Sequence, residues 1–276
     1  ILFEFGSKSE YNRILKLLYK LKEENISFYL LYINQFKEEF KVDFPFDRID
    51  IYDISKFQSN NLILNILEQL GNNTFDKITH LIIQGDSISS FSVGLAAFLK
   101  GIKIIHLDSG IRTYNQKNPF PEEFCRRSLS LMSDINFCHT LNNAKNLVQE
   151  GIRTPRYITG NISLDNISKE DVQEDKAVLI EISRRENIPL IKDWYYHINK
   201  LAKENPDYNF LMPNNKNKNI DKNRSLLNKI TILDKITDDI EIKLLKECSI
   251  FITDGSDLIE KACFLEKKTI ICRKVT

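Results

Sequence analysis

The sequence predicts an α/β protein made of two Rossmann-like domains with a cleft between them. Three observations carry that prediction. Short apolar runs alternate with longer segments whose apolar residues recur at helical spacing, which is the rhythm of a doubly wound parallel sheet. The rhythm restarts after about residue 177. The chain has 276 residues, enough for two domains that each bury a core.

In the first half "ILFEF" (1–5) reads as a strand, and "YNRILKLLYKLKEEN" (11–25) as a helix with Ile14, Leu15, Leu17, Leu18 and Leu21 on its apolar side. "SFYLLYI" and "RIDIYDI" read as strands, and "NLILNILEQLGN" as a helix closed by Gly71. "ITHLIIQ" reads as a buried strand. "SSFSVGLAAFLKG" has the small residues of a helix pressed onto a sheet, and "KIIHL" follows as a strand. The second half gives "AVLIEI", a helix over 192–204, "NFLMP", "ITIL", a helix over 238–247, "CSIFIT", a helix over 256–265 and "TIICR". The polar stretch "DNISKEDVQEDK" (165–176) marks the boundary, with domains expected at 1–168 and 169–276. A second polar run, 214–224, reads as a solvated loop, because strand and helix patterns resume on both sides.

Composition excludes several classes of function. Lys plus Arg (39) nearly cancels Asp plus Glu (38), so no global field favours nucleic acid or an anionic membrane. Any anionic ligand must be met by local charge. No apolar run approaches the roughly 18 residues of a membrane span, and the start has no basic segment leading into an apolar one, so a cytoplasmic location is expected. The five cysteines form no CxxC pair and read as small reduced hydrophobes. No spacing resembles a metal site, and no cofactor is expected.

In doubly wound folds ligands sit beyond the carboxyl ends of the strands. Gly6, Ser7, Lys8 and Ser9 follow the first strand and open the first helix, where free N–H groups suit a phosphate, helped by Lys8 and Arg13. Asp86 and Asp108 end neighbouring strands and are expected to share one crevice. Glu122 and Glu123 follow Pro121, a residue suited to a first helical turn, where acids also complement the dipole. Arg112 adds a guanidinium to the same segment. Of the histidines, His80 and His139 read as core residues and His197 as half-exposed. His106, two residues before Asp108, either orients that carboxylate or caps its strand.

The stretch "GDSISSFSVGLAAFLKGIKIIHLDSGIRTYNQKNPFPEEFCRR" (85–127) resembles the non-hydrolysing UDP-N-acetylglucosamine 2-epimerases. Their pattern runs G-D, a small-residue helix with A-A-F, then H-x-E-A-G-L-R-T and P-x-P-E-E-x-N-R. "NLVQEGIRTPRYITGNISLDNI" (146–167) is similar to that family's N-L-x-x-E-G and T-G-N-x-x-x-D. Weaker correspondence extends to "FGSKSE", "ISRRE" and "TDGSDLIEKA". The resemblance implies a glycosyltransferase B-like architecture, a UDP-sugar substrate and a homodimer. It also implies a reaction in which the C2 proton is removed, UDP is eliminated to leave a glycal, and UDP adds back after protonation on the other face. By position, Asp86, Asp108 and Glu122 take the catalytic places. Lys8, Arg13, His106, Arg112, Arg126, Ser183, Arg184, Gly255, Ser256 and Glu260 take the substrate-binding ones.

The departures matter as much as the matches. Lys8 stands for an arginine and Arg13 for a lysine, which keeps charge but not hydrogen-bond geometry. Asp108 replaces a glutamate and withdraws the carboxylate by one methylene. Ser183 replaces the histidine of G-H-R-R-E and removes a group that titrates near neutrality. "TDGSD" replaces T-D-S-G-G and places Asp257 where backbone N–H groups would face the diphosphate. The ribose-binding glutamate falls at Lys261, next to Glu260. The sequence stops at "CRKVT", within the region matching R-D-T-T-E-R-P-E, so the closing helices are expected to be absent. Two readings follow: an epimerase acting on a UDP-2-acetamido sugar, or a non-catalytic relative that binds a nucleotide sugar or a protein. A glycosyltransferase of similar architecture is a third, since fold alone does not carry function.

Overall fold

The computed structural model describes residues 1–34, 49–53, 62–70, 73–170, 175–214, 223–234, 236–255 and 257–273. The chain divides into two compact units, Ile1–Asn166 and Ile167–Thr276.

The first unit holds a parallel sheet of seven strands: β1 (Leu2–Phe5), β2 (Tyr29–Asn34), β3 (Ile49–Asp53), β4 (His80–Gln84), β5 (Lys103–Ser109), β6 (Ile135–Cys138) and β7 (Arg156–Ile158). Their order is β3-β2-β1-β4-β5-β6-β7, so the sheet reverses direction of growth between β1 and β4. Helices α1 (Lys8–Glu23), α2 (Leu62–Gln69), α3 (Ile88–Leu99), α4 (Glu122–Met132) and α5 (Leu141–Gln149) connect the strands. The second unit holds β8 (Asp175–Glu181), α6 (Ile191–Glu204), β9 (Asn209–Pro213), β10 (Thr231–Leu233), α7 (Asp238–Glu247), β11 (Cys248–Thr253), α8 (Asp257–Phe264) and β12 (Lys268–Ile271). Its five parallel strands run β10-β9-β8-β11-β12.

Strand periodicity explains the layers. Leu2, Leu81 and Ile83 face one side of the first sheet and pack with Ile66, Val93, Ala97 and Leu129 of α2, α3 and α4. Phe3, Phe5 and Ile82 face the other side and pack with Tyr11, Ile14 and Leu18 of α1. Glu4 shares Leu2's side by the same alternation, so a carboxyl enters an otherwise apolar layer. It meets the first turn of α3, where Ser89 and Ser90 are fully buried. The seam of small residues expected on α3 is the buried face Ser89, Ser90, Ser92, Val93, Gly94 and Ala97.

The elements expected from the sequence are present, with shifted ends. Helix α1 starts at Lys8, because Ser7 caps it by accepting from the Glu10 N–H at 3.2 Å. Gly71 and most of the polar run 214–224 lie outside the described residues. Strand β6, helix α5 and strand β7 were not expected as separate elements: β6 and β7 are very short, and α5 is largely polar with only Ala144 and Leu147 buried. Of the cysteines read as core thiols, Cys125, Cys138 and Cys248 are buried, but Cys263 is exposed and Cys272 half-buried. Cys263 lies on α8 next to buried Ala262, one helical step round from the core-facing side.

Beyond β5 the chain turns at Gly110, whose φ of +84° lies in the left-handed region. A Cβ there would sit 2.3 Å from the Asn143 carbonyl oxygen in α5. Both constraints require glycine. Gly110→Ala is therefore expected to destabilise the protein by about 3 kcal/mol, from backbone strain plus overpacking, read as a lowered denaturant midpoint. An unchanged midpoint would mean that the β5–α5 contact can open without cost.

Candidate active site

The reversal point of the first sheet collects most of the residues singled out in the first domain. Arg13 is half-buried one turn and a half into α1, while Lys8 is exposed at its first position. Asp86 follows β4, Asp108 lies near the end of β5, and Glu122 opens α4. Helical spacing then places Arg126 one turn beyond Glu122 and Glu123. Its buried guanidinium pairs directly with the Asp86 carboxylate and stands 3.6 Å from Glu123. Glu123, fully buried, accepts from the N–H groups of Thr113 (3.1 Å) and Tyr114 (2.9 Å). Through these contacts α4 fixes both the end of β4 and the loop that carries Arg112.

The charges act on one another. Burial pushes the Asp86 carboxyl up, and neighbouring Glu122 adds to the rise against the opposing charges of Arg126 and Arg13. Asp108 is the reverse case. Burial alone would raise it, yet the hydrogen bond and charge of His139, with Arg13 and Gln84, hold it below the ordinary carboxylate range. His139 Nε2 lies 2.7 Å from Asp108 Oδ1, and Gln84 Nε2 donates to Oδ2 at 2.9 Å. Asp108 has a φ of +60°, an uncommon left-handed conformation for a non-glycine residue.

His106 is fully buried beside this pair, and its ring meets the Gly85 carbonyl at 2.8 Å through Nε2 and Ser130 Oγ at 3.4 Å through Nδ1. Burial lowers it to about 4, so it is neutral at physiological pH. Of the two roles expected for it, the ring's hydrogen bonds go to the strand-end backbone and to α4, and the histidine that touches Asp108 is His139. The reading of His139 as a core residue is corrected accordingly: β6 ends at Cys138, and the next side chain turns toward β5 instead of into the sheet. No motif in the sequence marked it. His80 bonds its neighbour Thr79, and His197 is exposed.

Arg112 is buried against Glu150. Its Nε lies 3.0 and 3.1 Å from the two carboxylate oxygens, and Arg127 shares the same carboxylate at 3.1 Å. The guanidinium thus ties the loop after β5 to the end of α5. Asn146 reinforces that tie, donating to the Gly110 carbonyl at 2.9 Å while accepting from the Tyr114 hydroxyl at 2.9 Å.

A second set of acids underlies the first helix. The Glu10 carboxylate accepts the Gly6 N–H, occupying a donor that an anionic ligand would otherwise meet. Burial, with Asp86 nearby, raises Glu10 to about 7 against the pull of the Gly6 and Ser7 backbone and of Arg13. Glu4 accepts from Ser90 Oγ at 2.8 Å, and burial together with Glu10 lifts it to about 8.

In the second unit, considered by itself, the residues singled out gather at the carboxyl ends of β8 and β11. Asp254, fully buried, accepts from the Ser183 N–H (2.9 Å), the Arg184 N–H (3.0 Å) and Asn187 Nδ2 (2.8 Å). Gly255 is buried, and a Cβ on it would stand 2.5 Å from a Glu181 carboxylate oxygen, so a larger residue there would have to displace the Glu181 side chain. Glu181 also accepts from Thr253 Oγ1 at 2.7 Å. Glu260 is half-buried on α8, and Ser256 lies outside the described residues. Among the described residues, no group of three or more His, Cys, Asp or Glu side chains is arranged to hold a metal ion, and no helix is long and apolar enough to cross a membrane.

A family model described as UDP-N-acetylglucosamine 2-epimerase matches residues 31–276. The UDP-N-acetylglucosamine 2-epimerase of Campylobacter jejuni is 27% identical, the match covering 100% of this chain and 82% of that protein. A relative from Clostridium acetobutylicum is 28% identical over 71% of this chain, and the match spans 56% of that relative's length. Among solved structures, the UDP-GlcNAc 2-epimerase from Neisseria meningitidis bound to UDP-GlcNAc has a TM-score of 0.85 at 25% identity. That likeness covers 100% of this chain and 83% of the other, so the expected α/β class with two parallel sheets is shared with it.

The buried acids predict how stability changes with pH. A carboxyl whose folded value is raised contributes stability that is present below its unfolded value and lost as pH rises through the folded one. For Glu4 that window runs from 4.5 to about 8, and Glu10, at about 7, acts within it. The melting temperature is expected to fall across this window. Glu4→Gln should flatten the fall and raise Tm at pH 8 by several degrees. Parallel melting curves for the two proteins would argue against a protonated Glu4.

Proposed function

The chain belongs to the UDP-N-acetylglucosamine 2-epimerase family, and from that premise we propose that it inverts C2 of UDP-N-acetylglucosamine or a related UDP-2-acetamido sugar. The observation that carries the proposal is the gathering of Asp86, Asp108 and Glu122 with Arg13 and Arg126 at the reversal point of the first sheet. Inversion at C2 requires a base on one face of the sugar and an acid on the other. Two carboxyls whose surroundings push them in opposite directions supply such a pair. Asp108, held low, accepts the C2 proton. The C2 electron pair forms the C1=C2 double bond as the C1–O bond breaks, and UDP leaves with that bond's electrons. UDP then adds back at C1 while a carboxyl held high, Asp86, delivers a proton to C2 from the other face. Glu122, close enough to raise Asp86, favours the protonated form that this step needs.

Arg13 and Lys8 are assigned to the diphosphate, whose charge grows as the C1–O bond breaks. In the second unit Ser183, Arg184, Gly255, Ser256 and Glu260 are assigned to the nucleotide on the family resemblance. A homodimer and a cytoplasmic location accompany this reading on the same ground.

The reaction leaves an isotopic record. In deuterium oxide the protein should incorporate solvent deuterium at C2 of UDP-N-acetylglucosamine, detected by proton NMR or mass spectrometry. Asp108→Asn and Asp86→Asn should each slow incorporation by about 10²- to 10⁴-fold, the range of a lost general acid or base. A wild-type protein that binds the UDP-sugar yet leaves C2 fully protiated would refute the proposal.

A further inference from the structure

We propose that His139 is a positioning residue for the reaction, holding Asp108 in the ionised form and orientation in which it takes the C2 proton. The proposal rests on the epimerase reading and deepens it. Its geometric basis is the clamp on Asp108. The carboxylate is gripped from both sides, by His139 Nε2 at 2.7 Å on one oxygen and Gln84 Nε2 at 2.9 Å on the other. Side-chain exposures of 9% and 8% put the His139–Asp108 contact where solvent screens it little. To donate, His139 must carry its proton on Nε2 in both the neutral and the cationic state, so one tautomer serves throughout.

The clamp answers two problems of position. Asp108 sits in a left-handed backbone conformation, which aims its side chain differently from that of an ordinary strand residue. It is also one methylene shorter than the glutamate that the resemblance places there. A carboxylate off its productive position by about 1 Å loses on the order of a hundredfold in rate, so something must fix it from the side. Gln84 does so without titrating, whereas His139 can also change charge. Arg13 is a fixed cation near Asp108 and buried His106 is neutral, whereas His139 is in direct hydrogen-bond contact and so sets most directly how Asp108 is held.

The test compares His139→Ala and His139→Gln with wild type in two measurements. Titration of the Asp108 carboxyl carbon by NMR should show its midpoint rising in His139→Ala, because the largest influences opposing burial, the hydrogen bond and charge of His139, are then gone. In steady-state epimerisation, His139→Ala should lose about a hundredfold in kcat with KM nearly unchanged. His139→Gln, which keeps an N–H donor but cannot titrate, should recover most of the turnover with an altered pH dependence. An unmoved Asp108 midpoint, unchanged kcat in the alanine variant, or equal loss in both variants would assign His139 to packing and overturn the proposal. A wild-type protein without C2 exchange at any pH would instead remove the epimerase reading, and the catalytic half of this inference with it. A flat titration in an active wild type counts against His139 alone.

Discussion

The first unit is organised around the guanidinium of Arg126. Buried at the second turn of α4, it pairs with Asp86 at the end of β4 and lies beside Glu123, which in turn takes two N–H groups of the loop after β5. Remove that cation and the fully buried Glu123 and the partly buried Asp86 both lose a counter-charge. Breaking a buried pair from one side leaves the surviving charge with its desolvation penalty, and here that penalty falls mainly on Glu123, since Asp86 is partly open to solvent. The consequence is structural before it is chemical. The strand end carrying Asp86, the loop carrying Arg112 and the helix carrying Glu122 cannot shift independently, and a site built on them keeps its spacing.

Both units use the same device at their strand ends. Glu123 accepts the consecutive N–H groups of Thr113 and Tyr114, and Asp254 accepts those of Ser183 and Arg184. In each case a fully buried carboxylate occupies a concavity of successive backbone donors, an arrangement that binds anions in many proteins. Here the anion is part of the chain. The loops gain rigidity, while those N–H groups are no longer free to meet an external phosphate. Glu10 repeats the pattern on the Gly6 N–H.

Much of the fold was legible because a doubly wound sheet writes itself as alternating periods. Runs such as "NFLMP" and "CSIFIT" became strands with the bounds their composition suggests. What escaped were elements with too few buried residues to carry a period, β6, β7 and α5. Asp86 and Asp108 were legible from the rule that ligands gather at carboxyl ends of strands, and Glu122 from its place after Pro121 at a helix start; the structure brings Asp86 close to Glu122 and Arg13 close to both aspartates. His139 was not legible, because its role depends on where two loops meet in space and on the reversed φ of Asp108, neither of which spacing encodes. Glu4 was passed over for a similar reason. A lone acid within "ILFEF" carries no signal of its surroundings, yet β1 is flanked in the sheet by β2 and β4 and packs helices on both faces, so Glu4 is buried.

That central position sorts the acids of the first unit into two kinds. Asp108 meets a histidine, an amide and the field of Arg13, and these donors and charges outweigh burial and keep its proton affinity low. Glu4 meets hydroxyls and other acids, Glu10 a few backbone donors and one cation, and Asp86 a guanidinium but also Glu122; in all three burial prevails. The difference lies in how many opposing donors and cations the fold brings to each carboxyl, since all of them pay for burial. Proton affinity is therefore raised at Glu4, Glu10 and Asp86 and lowered at Asp108, on neighbouring strands of one sheet. The proposed reaction, which lifts a proton from one face of a carbon and returns one to the other, draws on this difference between Asp86 and Asp108, and the difference comes from how the sheet packs around each carboxyl.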